Sequence, residues 1–224
     1  MHINYKNKEM SMSYLRRLEL EIIPHNTPEV KRNCPKCKEK TQYISTDKFR
    51  VNANHKLLDV WLIYQCSKCK STWNMTIYER VNPKTFNKEE LLKFQENNKE
   101  LALSYGYNHN ALVKNHAEIL WNEVEYSIKV KKTSTFNEKI KGQLYVISNP
   151  YDIPITLDKL LSVHLGVSRN KIRKLIEQGK IYSIENKNIE KVKVYTNLLI
   201  GVLEEEKQGE VQEEINYEVC CKIK

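Results

Sequence analysis

Four cysteines stand in two matching spacings, Cys34-Pro35-Lys36-Cys37 and Cys66-Ser67-Lys68-Cys69, with 28 residues between the pairs. A Cys-x-x-Cys turn places two thiols on one side of a tight knuckle. Two knuckles facing each other supply four sulfurs at tetrahedral corners, an arrangement that Zn²⁺ accepts. Four thiolates fill the coordination shell and leave no position for water or substrate, so the cofactor expected is one structural zinc ion held by Cys34, Cys37, Cys66 and Cys69, not a Lewis acid. A redox dithiol would want a thioredoxin-like βαβ setting, which neither pair has. Disulfides or inert free thiols are the remaining readings. The N-terminus carries no apolar leader, so the expected compartment is the reducing cytoplasm, where structural disulfides are rare. Lys36, Lys38, Lys40, Lys68 and Lys70 are expected to offset part of the double negative charge of a four-thiolate site. Cys220 and Cys221 are adjacent in an acidic stretch and receive no role.

The elements that must position these cysteines follow from periodicity. Leu15–Ile23 alternates apolar and polar residues and reads as a strand, ended by Pro24 and Pro28, while residues 1–13 read as loose. Phe49–Ala53 reads as a short strand, Asn54-His55-Lys56 as a turn, Leu57–Gln65 as the returning strand, and Thr72–Arg80 as a third. Asn87 with Glu90 forms a capping-box signature for one helix, with Leu91, Phe94, Leu101, Ala102 and Tyr105 on a single face and Gly106 as its stop. A short helix is expected over 109–116, and strands over Val124–Val130 and Leu144–Ile147. The run from Asn149 to Pro154, with two prolines, reads as a domain boundary. Beyond it, Leu157, Leu160, Leu161, His164 and Leu165 form the apolar face of a helix closed by Gly166. Ser168 caps another, with Ile172, Leu175 and Ile176 inward and Gly179 at its end, and residues 181–202 read as β structure.

The fold class expected is α+β: an N-terminal antiparallel zinc-ribbon-like β module (1–85), an α/β connecting segment (86–150), a C-terminal helical pair plus short sheet (151–203), and an acidic mobile tail (204–224). Small domains seldom build a sufficient core alone, so the first ~80 residues are expected to depend on the ion. No apolar run approaches the ~20 residues that a membrane-spanning helix needs.

The stretch Phe49-Arg50-Val51-Asn52-Ala53-Asn54, the run Leu58-Asp59-Val60-Trp61-Leu62-Ile63-Tyr64 leading into Cys66 and Cys69, then Thr72-Trp73-Asn74 and Glu79-Arg80, resembles an uncharacterised bacterial family, domain of unknown function number ten-sixty-two. The resemblance covers most of the chain and implies a zinc-ribbon-type start without implying an activity. The front half is also similar to zinc ribbons generally, in which glycine often follows the second cysteine of a knuckle; Lys38 and Lys70 stand there.

Lys and Arg number 37 against 28 Asp and Glu, a formal charge of +9. That balance favours polyanionic partners through phosphate neutralisation and counterion release. Leu157-Asp158-Lys159-Leu160-Leu161 and the run Leu165 to Ile181 resemble the small RNA-binding domain shared by a ribosomal protein of the S-four type, pseudouridine synthases and bacterial tyrosyl-tRNA synthetases. Carried over by position, the resemblance implies that Arg169, Lys171, Arg173 and Lys174, with Lys180 at the end, meet RNA phosphates. Ser168 adds a capped helix N-terminus, itself favourable to anions. Thr156 stands where an arginine often precedes the Leu-Asp-Lys. The same helix pair resembles excisionase-type winged helix-turn-helix modules, in which Val167-Ser168-Arg169 would open a recognition helix into a DNA major groove.

No glycine-rich phosphate loop, H-E-x-x-H or paired-carboxylate motif is present. His164 reads as a core residue, His55 as solvent-facing, and His109 and His116 as lacking a nameable metal partner. Trp61 and Trp73 read as core aromatics, or as base-stacking platforms if exposed beside Arg50. The expectation is a non-enzymatic binder of nucleic acid, RNA before DNA, with the ribosome as one candidate site. The alternatives are a helix-turn-helix DNA-binding regulator and a protein–protein adaptor whose basic helix is only a solvated face.

Overall fold

The computed structural model describes residues 15–54, 57–132, 142–183, 189, 192–203 and 218–222. The strands are β1 (Leu15–Pro24), β2 (Val30–Cys34), β3 (Glu39–Asn54), β4 (Leu57–Cys66), β5 (Thr72–Val81), β6 (Glu118–Ile119), β7 (Glu125–Lys132), β8 (Gly142–Ser148), β9 (Ile181–Ser183), β10 (Leu198–Leu203) and β11 (Glu218–Lys222). The α-helices are α1 (Lys88–Gln95), α2 (Lys99–Gly106), α3 (His109–Lys114), α4 (Leu157–His164) and α5 (Arg169–Glu177). The fold is mixed α+β and rich in strand. Among the described residues no helix is long and apolar enough to cross a membrane.

The chain divides into two compact units, one from residues 24–125 with 222–224, the other from 1–23 and 126–221. The first holds a five-stranded sheet in the order β5-β4-β3-β2-β6, antiparallel at each described pairing. β4 shows why: Leu58, Val60, Leu62, Tyr64 and Cys66 alternate inward, and all five are buried. Phe94 of α1, Ala102 of α2 and Leu112 of α3 join them in one apolar cluster. Each leucine, valine or phenylalanine among them contributes about 1.5–3 kcal/mol on burial.

One long helix was expected over 87–106; the chain forms two. Asn97 adopts φ +56°, and Asn98 restarts the helix by accepting the Leu101 N–H on its side chain. Asn87 caps α1 as expected, accepting from Glu89 N and Glu90 N. The Glu90 carboxylate is engaged elsewhere, by the hydroxyls of Tyr105 at 2.6 Å and Tyr78 at 3.4 Å. Gly106 is the last residue of α2, and glycine is needed there for close approach and not for a left-handed turn: a Cβ would lie 2.4 Å from Thr27 Cγ2 and 3.0 Å from Pro28 Cδ.

The other unit carries a six-stranded sheet in the order β11-β7-β1-β8-β10-β9. β1 lies in its middle, parallel to β8 from Leu15↔Gly142 to Glu21↔Ser148, and so does not belong with the cysteine-bearing strands of an N-terminal module. β10 runs antiparallel to β8 and to β9. The expected boundary at 150 falls inside this unit. Asn149 is buried there; its amide donates to Ile153 O and Val194 O, and its Oδ1 accepts from Ile153 N. A side chain that satisfies three backbone groups makes the proline-flanked turn part of the core. The expected mobile tail is corrected in part, since Glu218–Lys222 is a strand at the sheet edge. The looseness expected of residues 1–13, the His55-Lys56 turn, and the tail over 204–217 lie outside the described residues, as does the β structure expected over 184–188.

α4 and α5 form as the periodicity predicts. Leu157, Leu160 and Leu161 are buried, as is Ile172, while Leu175 and Ile176 are half-buried. The Ser168 hydroxyl accepts from Lys171 N at 3.2 Å, and Gly166 and Gly179 follow the two helices with φ +64° and +71°.

Candidate functional site

Both knuckles are hairpin turns of the five-stranded sheet. Cys34 ends β2 and Glu39 begins β3; Cys66 ends β4 and Thr72 begins β5. Because β3 and β4 are antiparallel, with Tyr43 opposite Cys66, the two turns meet at one end of the sheet. They share a backbone pattern: Lys38 N–H donates to Cys34 O at 2.8 Å, and Lys70 N–H to Cys66 O at 3.0 Å. Lys38 and Lys70 both adopt φ +59°, the left-handed conformation that glycine would take without strain.

The four sulfurs lie within 4.8 Å of one another. Cys34 and Cys69 are 3.6 Å apart, Cys37 and Cys66 3.9 Å, and all four cysteines are free. A tetrahedron of sulfurs with metal–sulfur bonds of about 2.3 Å has an edge of about 3.8 Å. The set therefore fits a tetrahedral ion and could hold a metal. Cys34 and Cys66 are buried, and Cys37 and Cys69 are half-buried.

Hydroxyl groups surround the sulfurs. Ser71 Oγ is 2.9 Å from Cys69 Sγ and 3.6 Å from Cys34 Sγ, and Thr41 Oγ1 is 3.3 Å from Cys66 Sγ. The Tyr43 hydroxyl is the largest influence holding the Cys34 thiol down at about 5; the Cys37 N–H, 3.4 Å from the sulfur, adds to it. Cys37 is pushed up to about 12, with its contact to Cys69 the chief cause and burial the next. Burial opposes ionisation of Cys66, yet the backbone N–H groups of Cys69 and Lys68 and the Thr41 hydroxyl bring it below the ordinary thiol range. The donors thus favour the thiolate at Cys34 and Cys66, whereas Cys37 is held as the thiol.

Two lysines expected to offset that charge are engaged with carboxylates: Lys68 lies 2.6 Å from Glu39 and Lys40 3.9 Å from Glu118. Arg32, which the sequence reading passed over, lies on the inward side of β2 with Cys34, two residues away. Its guanidinium sits 4.0 Å from the Trp73 ring centroid and 5.6 Å from that of Tyr43. Period two from Cys34 on a strand would have pointed to Arg32, but β2 itself is too short and too polar to read from pattern. Trp73 is packed in this cluster, edge-on to Tyr43 at 5.7 Å and beside Tyr64 at 5.2 Å. Trp61 is half-buried, opposite Arg50 on β3.

The predicted nucleic-acid residues gather on α5 and its flanks. Lys171 and Lys174 are exposed, and Lys180 is half-buried with its carbonyl accepting from Leu203 N. Arg169 and Arg173 converge on one carboxylate, Asp158 of α4. Arg169 Nε reaches Oδ2 at 3.0 Å and Nη2 reaches Oδ1 at 3.1 Å; Arg173 Nη2 and Nε reach Oδ2 at 2.8 and 3.1 Å. The Thr156 hydroxyl donates to Asp158 at 2.5 Å. The Asp158 side chain is 1% exposed and each arginine 48%. His164 is half-buried, edge-on to the Tyr145 ring at 5.0 Å.

A family model described as a protein of unknown function (DUF1062) matches residues 51–187, a span that takes in the second knuckle and the α4–α5 pair but not the first knuckle. No curated protein and no solved structure matches the chain. The matched span is more than half of the 224 residues, and the chain belongs to the DUF1062 family.

Proposed function

We propose that this protein is a non-enzymatic, cytoplasmic binder of structured RNA, with the ribosome as one candidate site, and that its four-cysteine cluster holds one structural zinc ion. The observation that carries the RNA reading is the charge on α5: Lys171 and Lys174 stand exposed, and Arg169 and Arg173 keep about half of their side chains in water while their guanidinium groups are oriented by Asp158. Oriented arginine and exposed lysine on one capped helix suit phosphate contacts, which position RNA without reading its sequence. The resemblance to the S-four-type domain and the formal charge of +9 point the same way.

Zinc is the ion that four thiolates at tetrahedral spacing favour, and it would hold the β2–β3 and β4–β5 turns together. A closed four-sulfur shell offers no open position for a reacting group, which agrees with a structural and not a catalytic role.

The test compares the full chain with Lys171→Glu/Lys174→Glu, a variant that spares the Asp158–arginine contacts. RNA affinity is measured at low and moderate salt. The reading expects the variant to lose tenfold or more and to show a shallower salt dependence. Equal affinity for both proteins overturns it, and preference for duplex DNA over structured RNA would select the helix-turn-helix alternative.

A further inference from the structure

We propose that Arg32 is the charge-compensating residue of the four-cysteine site and that, together with the Tyr43, Thr41 and Ser71 hydroxyls, it slows loss of the bound metal by making the sulfurs poorer nucleophiles. The inference rests on the zinc reading of the cluster.

Four thiolates around a divalent ion leave a double negative charge next to a buried core. The lysines in sequence around the knuckles do not close that account, because Lys68 and Lys40 lie against Glu39 and Glu118 at the surface, and Lys36, Lys38 and Lys70 are exposed. Arg32 is placed differently. Val30, Arg32 and Cys34 share the inward side of β2, and Arg32 stands opposite Thr41 on β3. Its Nε is buried and has no hydrogen-bond partner among the described residues. Its guanidinium lies over Trp73 and near Tyr43, on the side of β2 that carries Cys34, and its positive charge is favoured by that cysteine. Aromatic faces hold a cation without consuming its donors. A guanidinium held by rings on the cysteine-bearing side of β2, and left with an unsatisfied buried N–H, has the negative charge of the loaded cluster as its natural partner.

The hydroxyls complete the arrangement. Ser71 touches the Cys69 and Cys34 sulfurs and Thr41 the Cys66 sulfur, and the Tyr43 hydroxyl favours the Cys34 thiolate. Donors around ligating atoms orient them and withdraw electron density, which lowers their readiness to attack electrophiles or to exchange. None of these groups replaces a ligand; they act through the sulfurs.

The experiment uses the full-length zinc-loaded protein and four forms: wild type, Arg32→Met, Arg32→Lys and Tyr43→Phe. Zinc content is measured first. The rate of zinc release is then followed with a colorimetric chelator, alone and with iodoacetamide present, and the circular dichroism of each form is compared. We expect one zinc per chain in every form, release about tenfold faster from Arg32→Met, near-normal release from Arg32→Lys, and severalfold faster release from Tyr43→Phe. Release from Arg32→Met at the wild-type rate overturns the proposal. So does an Arg32→Lys form as fast as Arg32→Met, since that result assigns the effect to packing on Trp73 and not to charge. Should Arg32→Met fail to fold, Arg32→Lys at the wild-type rate with accelerated Tyr43→Phe supports the proposal, and any other pairing of these two overturns it. A wild-type protein without zinc is a different failure, which overturns the metal reading and this inference with it.

Discussion

The Asp158 carboxylate, buried on α4, receives Arg173 of α5 at 2.8 Å and shares its other contacts with Arg169 and Thr156. Burial pushes this carboxyl up, but Thr156, Arg173 and Arg169 outweigh it, and the group titrates below the ordinary carboxylate range. The folded state therefore gains stability that is present above the unfolded-chain pKa of about 3.9 and is lost as the pH falls below it. Replacing Asp158 by Asn leaves two arginines facing a neutral amide. The expected cost is about 2–3 kcal/mol, less than for a fully buried pair because each arginine is half in water. Urea unfolding at pH 7 and at pH 3 measures it: the difference between wild type and Asp158→Asn should be large at pH 7 and shrink at pH 3.

The same residue separates two roles of the arginines in RNA binding. Asp158→Asn removes a buried negative charge and raises the net charge by one. If Asp158 merely neutralised Arg169 and Arg173, RNA affinity would rise and its salt dependence would steepen. If the carboxylate positions the guanidinium groups for phosphate, affinity should fall about three- to tenfold at a temperature where both proteins are folded. Titration of RNA into wild type and Asp158→Asn at two salt concentrations decides between them.

What the sequence made legible was local. The Cys-x-x-Cys spacings, the alternation of Leu57–Gln65, the Asn87 and Ser168 caps and the Leu157-Leu160-Leu161 face each involve residues that interact within a turn or two of chain, and each forms as its pattern predicts. Pairing over long distances was not legible. β1 lies parallel to β8 more than a hundred residues away, and nothing in Leu18-Glu19-Leu20-Glu21 names that partner. Short polar strands such as β2, Val-Lys-Arg-Asn-Cys, carry no periodic signal because only Val30 and Cys34 are buried. Asp158 read as one acidic residue in a helix. Its burial depends on two arginines that come within reach only after α4 and α5 pack.

The paired left-handed residues Lys38 and Lys70 make a prediction about the knuckles. A non-glycine residue in that conformation costs roughly 1–2 kcal/mol, whereas glycine adopts it freely but loses about 0.4–1 kcal/mol through the greater freedom of the unfolded chain. Lys70→Gly should therefore stabilise the cysteine-bearing unit by about 0.5–1 kcal/mol, and Lys38→Gly by a similar amount. Thermal melting of the zinc-loaded protein checks this. A lower midpoint for both variants would mean that the lysine side chains contribute more than their backbone costs.

All three tryptophans, Trp61, Trp73 and Trp121, lie in the unit that carries the cysteines, so their fluorescence reports that unit alone. Metal binding in small zinc sites contributes about 10–16 kcal/mol to folding. Chelation, or Cys66→Ser, should shift tryptophan emission toward that of the unfolded chain. The unit built on β1 and β8 should retain a separate transition in far-ultraviolet circular dichroism. Unchanged emission after complete metal removal would show that the sheet core suffices without the ion.

His164 gives a pH dependence of opposite origin to that of Asp158. Burial holds the imidazole down at about 4, against roughly 6.5 in an unfolded chain. Between those values the unfolded state binds a proton that the folded state does not, so stability falls as the pH drops from about 6.5 toward 4, by about 1 kcal/mol per pH unit after allowance for partial exposure. His164→Phe keeps a ring edge-on to Tyr145 and removes the titration. The difference in unfolding free energy between wild type and His164→Phe should be constant above pH 7 and should change steadily in favour of the variant below pH 6.5. Parallel stability curves across that window would mean that the imidazole takes its proton as readily in the folded protein as in the unfolded chain.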